Sequence, residues 1–138
     1  MNPAQAAAAR LRASAADGRL DEVCQRQTVR VLGVLGSAAR PNPKEPRDLD
    51  IAVGFLEPKR PMVLPLLTEL TRLVAYDNVD LVLIDRAEPL LRARAFAGVG
   101  LYEHSQGAWA TEQMAAHAEA RDTAWMRRLD LQALAHHR

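Results

Sequence analysis

The sequence predicts a single domain in which strands and helices intermix, of the α/β or α+β class. Three observations carry this. The 138 residues fit one domain of ordinary size. Three short apolar, β-branched runs bounded by turn residues read as strands, at 28–36, 48–55 and 79–85. Leucines at 64, 66, 67, 70 and 73 recur at a helical period between the second run and the third.

The elements follow in order. Residues 4–16 are mostly alanine, which favours helix but supplies little to bury, so residues 1–20 are expected to be a marginal or unfolded helix, broken near Asp17-Gly18. A short helix through Leu20–Gln27 follows, then the first strand, Thr28–Gly36. Ser37 is a good helix-capping residue, but Pro41, Pro43 and Pro46 forbid regular structure over Pro41–Arg47. The second strand is Asp48–Phe55, the next helix Met62–Val74, and the third strand Val79–Asp85. Pro89 opens a helix to about Ala97, Gly98–Glu103 is a short strand or turn, and a long helix runs from about Gly107 to Leu134. The whole chain, 1–138, is thus one domain, with a sheet over about 28–85 and a helical part over about 89–134.

Composition excludes several classes. Apolar residues at 49% and charged residues at 25% are those of a globular protein rather than a disordered chain. No run of about 18 uncharged apolar residues exists to span a membrane. The net charge of +1 lacks the basic excess of a protein that binds nucleic acid through its phosphates, so no direct nucleic-acid contact is expected. The lone Cys24 excludes an internal disulfide and a Cys-rich zinc site. With no apolar signal segment at the start, it fits a reducing compartment, and a cytoplasmic protein is expected.

The chemistry lies in Gly36-Ser37-Ala38-Ala39-Arg40, then Asp48-Leu49-Asp50, then Asp80. Asp48 and Asp50 stand two apart on an expected strand, so strand periodicity points both to one face. Adjacent carboxylates repel unless a cation lies between them, and hard oxygen ligands suit Mg²⁺ or Mn²⁺. Asp80, on the next strand, would complete the set if the strands share a sheet. Such sites hold nucleotide phosphates and activate an oxygen nucleophile. Gly36-Ser37 supplies the other half: a glycine that lets the backbone approach a ligand, N–H groups and a hydroxyl for an anion, and Arg40 one turn on. Phosphate on one side and metal on the other is what nucleoside triphosphate transfer requires.

Each part also has an ordinary reading. A Gly-Ser turn is common, edge strands carry charge for solubility, and Asp80 alone could be a solvated strand-end acid. The joint order and spacing favour the functional reading. Asp77 and Asp85, flanking the third strand, read as turn and cap acids. Gly33-x-x-Gly36 is neither a dinucleotide fingerprint nor a Walker loop, and the four histidines show no zinc spacing with a third ligand. Trp109 and Trp125, sixteen residues apart on the long helix, differ by roughly 160° and face nearly opposite ways. Core packing of both is the default reading, and a partner surface at one is the alternative.

On the residues GSAARPNPKEPRDLD and VDLVLID, the sequence resembles the minimal nucleotidyltransferases of the DNA polymerase beta superfamily: Gly-Ser, ten residues, Asp-x-Asp, and a third Asp on a later strand. Gly36 to Arg40 matches the family's Gly-Ser-x-Ala-Arg. LLRARAFAGVGLYEHSQGAWA and ARDTAWMRR look like the tail of the subgroup encoded beside HEPN-domain proteins, so the likeness covers about 28–130. Two positions depart from it: Pro41 stands where many members have glycine, and Arg47 where many have serine.

The resemblance implies a nucleotidyltransferase fold with a small mixed sheet, flanking helices and a long C-terminal helix. It implies that Gly36, Ser37 and Arg40 bind the nucleotide. Asp48, Asp50 and Asp80 would be both the metal ligands and the catalytic acids, with Mg²⁺ or Mn²⁺ as cofactor and ATP as substrate. It implies transfer of AMP to a tyrosine of a partner HEPN RNase toxin, in a type VII-like toxin–antitoxin pair. A weakly active antitoxin that works by binding alone, and an enzyme with a small-molecule acceptor, are the alternatives. Self-association stays open.

Overall fold

The computed structural model describes residues 1–35 and 47–136. Within them the chain forms a four-stranded mixed sheet with helices on both faces.

The alanine-rich start is a full helix, α1 (Pro3–Asp17), which corrects the expectation of a marginal one. Two features account for it. Asn2 and Gln5 form a reciprocal cap, with the Asn2 side chain accepting the Gln5 N–H at 2.8 Å and the Gln5 side chain accepting the Asn2 N–H at 3.1 Å. The small side chains of Ala4, Ala7 and Ala8 let the helix lie close to its neighbours, and with Leu11 they are fully buried. Tertiary packing thus supplies what propensity alone does not. Gly18, at φ +90°, ends the helix in the left-handed conformation. Helix α2 (Arg19–Arg26) follows and buries Leu20, Val23 and Cys24.

The strands are β1 (Val29–Val34), β2 (Leu49–Phe55), β3 (Val79–Leu83) and β4 (Val99–Glu103), in the order β3-β2-β1-β4. β1 is antiparallel to both β2 and β4, while β2 and β3 are parallel. A parallel pair needs a crossover, and α3 (Val63–Val74) is it. The third expected strand ends two residues early, where Ile84–Arg86 turns into a 3₁₀ segment. Helix α4 (Pro89–Phe96) leads to β4, and the long α5 (Ala108–His136) closes the chain.

Alternation sorts the strands' side chains into two cores. Leu32, Val34, Leu49, Ile51, Val53 and Phe55 face α1, α2 and α3. Val31 and Ala52 face the other way and pack with Ile84, Ala95, Phe96 and Ala116 beneath α4 and α5. Glu103 accepts the N–H groups of Gly107 and Trp109 and so caps the start of α5.

The two tryptophans separate as the helical geometry predicts, and core packing of both does not hold. Trp109 meets Phe96 at a ring separation of 4.8 Å and lies over Gly33 and Gly100. Trp125 is 59% exposed, together with Met126 and Leu129.

Candidate active site

The backbone brings the carboxylates to one end of the sheet. β1 runs toward that end, and β2 and β3 both start there. Asp50 and Asp80 are direct register partners across the parallel pair. Register partners lie on the same face, about 4.8 Å apart. Their neighbours fix which face: Leu49 and Ile51 are in the core under α1, α2 and α3, so Asp50 belongs with Ala52 on the face of α4 and α5. Asp48 stands one residue ahead of β2 and is exposed, as is Asp80, while Asp50 is half-buried.

The end of β1 lies against this pair. The Leu35 N–H donates to the Asp50 carbonyl at 2.9 Å, extending the β1–β2 ladder by one bond. The residues next in sequence are Gly36 and Ser37. The expected nucleotide-binding residues Gly36, Ser37 and Arg40, and Pro41, lie outside the described residues. Leu49 is held from the other side, its N–H donating to the Asn78 carbonyl at 2.8 Å.

Among the described residues, no three His, Cys, Asp or Glu side chains stand as a ready metal cage. The fold supplies a pair of carboxylate positions in register, Asp50 and Asp80, with Asp48 two residues up the chain. The donor set, carboxylate oxygens on exposed and half-buried side chains at a sheet end, fits a hard divalent cation.

A second group of charges lies at the opposite end of β2 and serves the fold. The Arg30 guanidinium donates to both oxygens of Glu112, at 2.9 and 2.8 Å, to Asp85 at 2.8 Å, and to the Phe55 carbonyl. The other Asp85 oxygen accepts the Phe55 N–H at 3.0 Å. These bonds, first to Glu112 and then to Asp85, hold the Arg30 pKa well above its ordinary value. Asp85 therefore ties β2 to β1, beyond the cap read from sequence, and Arg30 carries the link on to Glu112 of α5. Arg30, Asp85 and Glu112 line a cavity of about 250 Å³ with Arg92, Phe96 and Glu119, and every charge named here is in an ion pair. Sequence reasoning missed this group because its members are 55 and 82 residues apart.

Comparison with known proteins gives the family and the fold. No curated protein gives a significant sequence match. A chain of a mutant MntA–HpeT toxin–antitoxin complex superposes with a TM-score of 0.64 at 15% identity, covering 86% of this chain and 97% of that one. A toxin–antitoxin complex with AMP-PNP gives the same values. A complex of tri-AMPylated Shewanella oneidensis HEPN toxin with MNT antitoxin gives 0.61 at 15% identity, covering 86% and 94%. At that identity the likeness is one of fold. The sequence of residues 19–107 matches the family described as polymerase beta nucleotidyltransferase, and that span includes every residue of the Gly-Ser and carboxylate motif. With the motif's carboxylates gathered at one end of this fold, the chain belongs to the polymerase beta nucleotidyltransferase family.

Proposed function

We propose that the protein is a metal-dependent nucleotidyltransferase that moves AMP from ATP to a tyrosine hydroxyl of a partner HEPN toxin, and is that toxin's antitoxin. The observation that carries the reading is the register pairing of Asp50 with Asp80, beside the end of β1 from which Gly36-Ser37 follows. The superposed toxin–antitoxin complexes, one with an AMPylated HEPN toxin and one with AMP-PNP, support the choice of acceptor and nucleotide.

In this reading Asp48, Asp50 and Asp80 hold Mg²⁺ or Mn²⁺. A divalent ion at that place would neutralise charge on the triphosphate and orient it. Gly36 and Ser37 offer N–H groups and a hydroxyl to the triphosphate, and Arg40 offers a cation. Asp80 accepts the proton of the acceptor hydroxyl. The acceptor oxygen forms a bond to the α-phosphorus in line with the α–β bridging bond, which breaks, and pyrophosphate leaves.

The test is transfer from ATP labelled at the α-phosphate, in the presence of Mg²⁺ and the HEPN partner. Label on the partner, lost in Asp50→Asn, supports the reading. Toxin suppression that survives Asp50→Asn and needs no label transfer would make the protein an antitoxin by binding alone.

A further inference from the structure

We infer that Tyr76 is a positioning residue for the carboxylate site. This rests on the reading of Asp48, Asp50 and Asp80 as ion ligands. The Tyr76 hydroxyl donates to the backbone carbonyl of Arg47, the residue directly before Asp48. The bond spans 29 residues of sequence, from the loop ahead of β3 to the loop ahead of β2. It is the counterpart of the Leu49 N–H bond to Asn78. Asp48 thus sits between two peptide units, each tied to the segment that leads into Asp80.

The platform under Tyr76 is built to hold it. Ala75 sits at φ +49° and ψ +48°, a left-handed conformation that costs a non-glycine residue about 1 kcal/mol or more. That turn ends α3 and sets the course of the chain into Tyr76. The Tyr76 N–H bonds back to the Thr71 carbonyl, and the ring packs against the core beneath α1, α2 and α3. Just before the turn, the Val74 carbonyl accepts Arg10 Nε from α1 at 2.6 Å. The hydroxyl is therefore the far end of a braced side chain, aimed at the one backbone carbonyl that adjoins the first carboxylate. Asp48 lies outside β2 and has no strand ladder of its own to fix it, so the tether supplies that restraint.

The experiment uses the full chain and Tyr76→Phe, which keeps the ring and removes only the hydroxyl. Amide hydrogen exchange in metal-free protein is expected to quicken at residues 48 and 49 by about fivefold, the worth of one neutral hydrogen bond. Exchange in β1 and α1 should stay as in the wild type. Mn²⁺ binding, read from the paramagnetic signal of the free ion, should weaken by a similar factor, and Tyr76→Phe should add nothing in an Asp48→Asn background. Unchanged exchange at 48 and 49, or Mn²⁺ affinity equal to that of the wild type, overturns the tether alone. A wild-type chain that takes up no Mn²⁺ overturns the reading of the carboxylates as an ion site, and the role of Tyr76 with it.

Discussion

Asp50 and Asp80 face one another directly across the parallel pair of β2 and β3, at the end of the sheet where β1 finishes. Like charges in adjacent register positions disfavour the pairing of their strands, by roughly 0.2–1 kcal/mol. Replacing the exposed Asp80 by asparagine should therefore leave stability unchanged or slightly raised. Transfer activity should fall by about a hundredfold or more in both Asp50→Asn and Asp80→Asn, as expected when a ligand or proton acceptor is lost. Urea denaturation and label transfer on the same samples check the two halves. Activity within twofold of wild type would remove these residues from the mechanism.

Gly33 and Gly100 are where the sheet lets α5 come close. A Cβ on Gly33 would stand 2.3 Å from the Trp109 ring and 2.7 Å from the Val99 carbonyl oxygen. On Gly100 it would stand 2.6 Å from the same ring. Either Gly→Ala change forces the indole off its seat, at a cost of about 1–3 kcal/mol. Denaturant unfolding followed by tryptophan fluorescence measures it. Because Trp125 is exposed, a Trp125→Phe background isolates the Trp109 signal without disturbing the fold.

Arg30 holds Asp85 and Glu112 together. Arg30→Leu leaves two carboxylates facing one another without their cation. The side chains are about one-quarter exposed at Arg30 and similar at its partners, so water softens the loss. The expected cost is about 2 kcal/mol, below that of breaking a fully buried pair. Loss of less than about 0.5 kcal/mol, the level of a surface ion pair, would show the group to be solvated.

Cys24 gives a pH dependence whose sign can be worked out. Burial, aided by the nearby charges of Asp21 and Glu69, pushes the thiol well above its ordinary value of 9.0. The native thiol stays protonated while the unfolded one ionises. The native state then holds more protons, so stability is full below pH about 8.5 and falls as pH rises past it. The slope from this group approaches about 1.4 kcal/mol per pH unit. The difference in unfolding free energy between wild type and Cys24→Ala, followed from pH 7 to 10.5, should shrink at the alkaline end. A constant difference would contradict the account.

Much of the fold was legible in local pattern, and the exceptions share a cause. Alternation around Ile51 and Val53 marks β2 and predicts the face that Asp50 takes. The leucine period marks α3 as a helix between β2 and β3, and the structure makes it the crossover of a parallel pair. The near-opposite faces of Trp109 and Trp125 follow from helical geometry. What could not be read was what distant residues do for one another. Alanines 4, 7 and 8 look like a weak helix until the surface they fit is known. Asp85 looks like a turn acid until Arg30, 55 residues away, is seen to bind it. The motif groups Asp48, Asp50 and Asp80 in sequence, and the register of β2 on β3 makes two of them, Asp50 and Asp80, neighbours. Gly36, Ser37 and Arg40 rest on the motif and on the family match, being outside the described residues.

The most direct test is the intact mass of a purified HEPN toxin after incubation with this protein, ATP and Mg²⁺. The account predicts toxin mass rising in steps of one AMP, with loss of its RNase activity, and no change when Asp80→Asn replaces the wild type. A toxin of unchanged mass that is nevertheless silenced by the wild-type protein would contradict it.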